Sequence, residues 1–75
     1  MGVENVELAN AFWEYGGLLQ LRGDYAGAEP LMAKALKVLE TDLDFQRNIS
    51  WRRKTYATVL SELGRSEEAA RILRR

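Results

Sequence analysis

Trp51 is followed directly by Arg52, Arg53 and Lys54, with Arg47 four positions before it. Cations beside an indole can pair with phosphates while a base stacks on the ring, or they can hold an acidic protein segment. The nucleic-acid reading has little support beyond this run, because the chain carries 11 bases against 11 acids. Catalytic chemistry has fewer parts still. The carboxylate pairs Glu67 with Glu68 and Asp42 with Asp44 fall at a helix start and in a connection, where capping and solvation account for them. Histidine and cysteine are both absent, which removes the commonest general base, the thiol nucleophile, disulfides and the usual nitrogen and sulfur metal ligands. Neither a glycine-rich phosphate loop nor a nucleophile elbow occurs. No catalytic residue, cofactor or metal is therefore expected, and the chain reads as a non-enzyme.

The charges are divided between the halves. Residues 1–44 hold eight acids and three bases, a balance of −5, and residues 45–75 reverse it to +5 with eight bases and three acids. Opposed halves suit the end of one molecule facing the other end of a second, although ordinary solvated helix faces would show the same totals. A chain of 75 residues makes one small domain, of a size at which a single core supplies only a few kcal/mol. Without disulfides or metal, extra helix packing or a partner chain must supply the rest. No apolar run reaches the length of a membrane span and no start resembles a signal peptide, so a soluble, cytoplasmic chain is the expectation. Met1-Gly2 also fits a cloning scar on an excised fragment.

The elements follow from spacing. Leu8, Phe12, Tyr15, Gly16 and Leu19 draw one stripe on a helix over about 6–22. Gly23 suits the left-handed residue past its end, and Asp24 suits the cap of the next helix. There, Ala28, Leu31, Met32, Ala35, Leu36 and Leu39 form the stripe, with alanines small enough for close antiparallel packing. Pro30 lies inside this helix and removes one backbone hydrogen bond. Thr41, Asp42, Leu43 and Asp44 make a connection. Phe45, Ile49, Tyr56, Leu60 and Leu63 continue as a third helix, which Gly64 ends. Ser66 then caps a short fourth helix, with Glu67 and Glu68 at its positive end and Arg71, Arg74 and Arg75 at its negative end. Gly16 and Gly17 each cost up to ~1 kcal/mol in the first helix interior.

A pattern links these elements. Phe12-x2-Tyr15-Gly16-x2-Leu19, Gly23-Asp24-Tyr25 and Ala28-x3-Met32 return 41 positions later as Arg53-x2-Tyr56-Ala57-x2-Leu60, Gly64-Arg65-Ser66 and Ala69-x3-Leu73. Self-similarity at such a period is the mark of a solenoid, whose units bury their apolar faces only against their neighbours. The spacing resembles the tetratricopeptide repeat. The run Gly-Asp-Tyr-x2-Ala-Glu-Pro-Leu-x3-Ala-Leu at 23–36, and a period longer than the usual ~34 residues, are similar to the kinesin-light-chain-like subtype with repeats of about 42 residues. The resemblance implies an all-α fold of about four helices, in antiparallel hairpins stacked as a superhelix. One domain over 1–75 would hold a first repeat at about 6–41 and an incomplete second at about 45–75. It also accounts for Pro30 and, as a small residue where two helices meet, for Gly16; Gly17 is left without a reason.

In that family the first helix of each repeat lines a concave face. Carried over by position, the groove residues are Asn10, Trp13, Gly17 and Gln20, then Trp51, Lys54, Thr58 and Ser61. An exposed tryptophan is a large apolar plate with one donor, so Trp13 and Trp51 are the natural anchors for a peptide; either could instead cover the core or an oligomer seam. Family members that clamp a C-terminal carboxylate carry asparagine where this chain has Glu14 and Thr55, and of such a clamp only Lys54 matches, so that ligand mode is not expected.

The expected function is protein or peptide binding and assembly through the concave face, together with self-association, a homodimer being favoured. The alternative is a structural or engineered repeat fragment that oligomerises without an external ligand. Nucleic-acid contact through the helix at 47–54 is a third reading.

Overall fold

The computed structural model describes residues 6–40 and 49–74. Four helices form among them: α1 Val6–Leu21, α2 Tyr25–Leu39, α3 Ile49–Glu62 and α4 Ser66–Leu73. No strand occurs among the described residues, and the all-α architecture matches the expectation. The connection assigned to Thr41 through Asp44, and the helix start assigned to Phe45, lie outside the described residues.

The two hairpin turns are copies of one another. Gly23 and Gly64 have φ of 82° and 79°, a left-handed conformation that a side chain would strain. At the first turn the Gly23 N–H donates to Gln20 O at 2.9 Å and the Asp24 N–H to Leu19 O at 2.8 Å. At the second, Gly64 donates to Ser61 O at 3.0 Å and Arg65 to Leu60 O at 2.8 Å. Each pair satisfies carbonyls that the helix end would otherwise leave bare, and reverses the chain.

The starts of the returning helices differ. Asp24 caps α2, its Oδ1 accepting from the Gly27 N–H at 2.9 Å. At α4 the expected cap by Ser66 does not form. Ser66 is already the first helical residue, the cap position is Arg65, and no side chain accepts a hydrogen bond there. Arg65 instead forks onto Glu68 in the first turn, with Nε to Oε1 at 2.7 Å and Nη2 to Oε2 at 2.8 Å. α2 runs on through Pro30.

α1 packs on α2, α2 on α3, and α3 on α4. The core comprises Ala28, Met32, Ala35, Leu36 and Leu39 from α2, Ile49, Tyr56, Ala57, Val59 and Leu60 from α3, Ala69 from α4, and Ala9 and Trp13 from α1. α2 is covered on both sides and so supplies much of the core. α1 turns a different face inward from the one its spacing suggested. Phe12 and Leu19 are partly buried against the core and Gly16 is buried, but Leu8 and Tyr15 are exposed. The inward stripe is Ala9, Trp13 and Gly16, because α2 packs against that side of α1.

Gly16 marks the closest approach in the first hairpin. A Cβ at this position would lie 2.8 Å from Met32 Cγ and 3.3 Å from the Ala28 carbonyl oxygen, whereas a Cβ on Gly17 meets nothing within 4 Å. The two glycines therefore have opposite expectations. Gly17→Ala gains helix propensity without a clash and should stabilise the chain by up to ~1 kcal/mol; Gly16→Ala should destabilise it by about 1 kcal/mol through overpacking against Met32. Urea midpoints for the two variants check both signs.

Candidate functional site

The residues expected in the groove divide by helix. On α3, Trp51, Lys54, Thr58 and Ser61 are all exposed; steps of three, four and three place them on one face. On α1, Asn10, Gly17 and Gln20 are partly covered and Trp13 is buried, with 7% of its surface exposed. Trp13 is thus a core residue, the alternative left open for either tryptophan, and it offers no open indole plate. Trp51, exposed by half, is the tryptophan that offers a face to solvent.

The two indoles meet. Their ring centroids are 6.0 Å apart at an interplanar angle of 82°, an edge-to-face pair in which the positive rim of one ring meets the negative face of the other. Arg52 completes the cluster. Its guanidinium carbon lies 5.2 Å from the Trp51 centroid and 5.8 Å from that of Trp13, within cation–π range of both. Burial lowers the affinity of this guanidinium for its proton. Arg52 escaped the sequence-based assignment of the groove. The available signal was its place beside Trp51, but adjacency in a helix does not put two side chains on the same face; the contact depends on Trp13 arriving from α1.

The basic run does not form one surface. Arg52 stands over the indoles, Arg53 Nε donates to Glu40 Oε2 at 3.2 Å, and Lys54 is exposed. Successive helical residues point ~100° apart, so the three cations fan around α3 rather than track a phosphate backbone; Arg47 lies outside the described residues. The hydroxyl of Thr58 donates to Lys54 O at 3.0 Å, and that of Thr55 to Trp51 O at 2.9 Å. Both retain lone pairs, and the face can accept as well as donate. Among the described residues no cluster of three or more His, Cys, Asp or Glu side chains could hold a metal ion, and no helix is long and apolar enough to cross a membrane. A hollow lined by Tyr56, Leu60, Glu68, Arg71 and Ile72 contains none of the expected groove residues.

A chain of polar contacts links α2, α3 and the start of α4. Tyr56 is buried, and its hydroxyl donates to Glu29 Oε2 of α2 at 2.6 Å. The other oxygen of Glu29 lies 3.3 Å from Arg65 Nη1, and Arg65 in turn holds Glu68. One carboxylate on α2 thereby ties α3 to the start of α4. The hydrogen bond from Arg65 holds Glu68 below the ordinary carboxylate range, and Glu68 raises Arg65 above its own ordinary value. Burial first, and then the bond to Glu29, push the Tyr56 phenol well above its usual value.

The helical hairpins, the repeated left-handed glycine turns and the small-residue contact at Gly16 describe a helical repeat, and a tetratricopeptide repeat profile matches residues 7–75. The chain belongs to the tetratricopeptide repeat family. No curated protein and no solved structure matches it in the corresponding comparisons. Members of this family are typically non-enzymatic protein-interaction modules, and the tetratricopeptide repeat here is read in that light.

Tyr56 gives this assignment of contacts a pH signature. The folded chain holds the phenolic proton more tightly than the unfolded one, so the bond's contribution is complete below the ordinary tyrosine value near ~10 and is lost as pH rises above it. Tyr56→Phe should cost about 1–2 kcal/mol at neutral pH, and the difference between variant and parent should shrink on alkaline titration. Urea unfolding from neutral to alkaline pH measures both.

Proposed function

We propose that this tetratricopeptide repeat chain binds a short peptide or protein segment on the face shared by α1 and α3, with Trp51 as the anchor. The observation that carries this reading is the half-exposed indole of Trp51, braced from behind by Trp13 and Arg52. A large rigid side chain held in place loses little entropy when a partner covers it, the usual property of an interface hot spot. Lys54, Thr58 and Ser61 stand beside it as a cation and two hydroxyls, and Asn10, Gly17 and Gln20 line the opposing helix. Such a face suits a segment with an apolar or aromatic anchor next to a carboxylate. Self-association belongs to the same reading, with a homodimer as its smallest form. The longer period and the Ala-Glu-Pro-Leu run at 28–31 support the kinesin-light-chain-like subtype.

A purely structural unit is the competing reading, and burial separates the two tryptophans for the test. Trp13→Ala removes a core side chain and should cost about 3–5 kcal/mol, so its loss of binding would say nothing. Trp51→Ala is the clean variant. Peptides selected from a random library on the parent protein should bind Trp51→Ala at least about 10-fold more weakly, a typical hot-spot loss, while its circular dichroism stays unchanged. A selection that enriches nothing, or peptides indifferent to Trp51, would count against a peptide-binding face.

A further inference from the structure

Trp51 does not stand alone on its face. Asn10, Glu14, Gly17 and Leu21 fall at steps of four, three and four along α1, which puts them on one side of the helix. The 41-position period gives them the counterparts Trp51, Thr55, Thr58 and Glu62 on α3. The two rows are neighbours, because Trp51 meets Trp13, one turn from Asn10. Thr55 and Glu62 form the edge of the α3 row nearer α1, since Thr55 stands three residues after Arg52, whose guanidinium reaches the Trp13 ring. Neighbouring hairpins leave this surface open. Leu21 is 85% exposed and Glu14 is exposed although α3 lies beside α1, and Trp51, Thr58 and Glu62 are exposed although the first hairpin lies beside α3. At mid-length a Cβ on Gly17 would meet nothing within 4 Å.

The face has an apolar side chain at each end, Trp51 at one and Leu21 at the other. Trp51 lies level with Asn10, and the helical rise from there to Leu21 is about 16 Å, a span that about five extended residues cover. The polar groups between them accept. Thr55 and Thr58 donate their hydroxyl protons to carbonyls of their own helix and so present lone pairs. Glu14 and Glu62 are carboxylates, and among the described residues neither forms an ion pair. The cations are placed elsewhere: Arg52 stands over the indoles, and Lys54 lies on the outer edge of α3. We propose that this face selects a peptide segment with a lysine or arginine between two apolar residues. One apolar residue covers Trp51, the cation pairs with Glu14, and the other apolar residue covers Leu21 beside Glu62. The proposal rests on the Trp51-anchored reading above and adds to it a second anchor and a charge; the carboxylate suited to Lys54 belongs to the outer edge of the same segment. Charge complementarity fixes the class of partner, because a second acid on the inner edge would face two carboxylates.

Peptides selected from a random library on the parent protein supply the probes, and enriched sequences should carry lysine or arginine between apolar residues. Leu21→Ala and Glu14→Lys replace exposed side chains with good helix formers, so circular dichroism should match the parent; Glu14→Gln serves if the reversal lowers helix content. Each variant should bind the selected peptides about 10-fold more weakly. The Glu14→Lys loss should shrink as salt is raised, while the Leu21→Ala loss should not. Exchanging the cation of a peptide for glutamate should weaken its binding to the parent and restore it to Glu14→Lys, a rescue that a merely structural role for Glu14 would not give. Peptides that need Trp51 but bind Leu21→Ala and Glu14→Lys like the parent, or enriched sequences that lack a cation, overturn this inference and leave the Trp51 anchor standing. Peptides indifferent to Trp51, or a selection that enriches nothing, overturn both.

Discussion

A hairpin of two amphipathic helices buries one face of each helix against the other and leaves a second face for the next hairpin to cover. This chain has one such junction among its described residues, between α2 and α3, and the distribution of its core follows from that. α2 lies between two neighbours and contributes five of the buried side chains, whereas α1 and α4 lie at the ends and contribute few. Tyr15 and Tyr56 occupy the same place in the period, and the junction alone makes one a surface residue and the other a core residue with a displaced phenol.

The junction also brings the two indoles together. Trp13 comes from the first hairpin and Trp51 and Arg52 from the second, so the braced indole exists only when the hairpins are stacked. On the far side of α3, Glu29 joins Tyr56 to Arg65 and so ties α2, α3 and the start of α4 together. Both sides of α3 are therefore held by residues of other helices, the indole pair on one and the Tyr56–Glu29 bond on the other.

Turns and close contacts were legible in the residues. Gly23 and Gly64 announce left-handed ends because few other residues tolerate that backbone, and Gly16 announces a tight helix crossing because any Cβ there would meet Met32. Gly17, for which no reason was apparent in the chain, faces open space. The misreadings share a cause. The period sets Leu8 and Tyr15 inward, leaves Trp13 between groove and core, and sets Ser66 at a cap position that Arg65 occupies. A period states which residues share a face, but not which neighbour that face meets. The Arg65 side chain accepts from no backbone N–H of α4, but its fork onto Glu68 is joined by Glu29 from across the interface.

The helices, the glycine turns that fold them into hairpins, the repeat that relates the hairpins and the family can all be read along the chain. These depend on backbone freedom and on spacing along a few turns, which are local. Packing of the helices is what covers Trp13 and leaves Trp51 open, sets Arg52 over both rings and fans the cations around α3. Each of these depends on what a second helix brings to the first, and contacts between residues distant in the chain leave no fixed interval to be read.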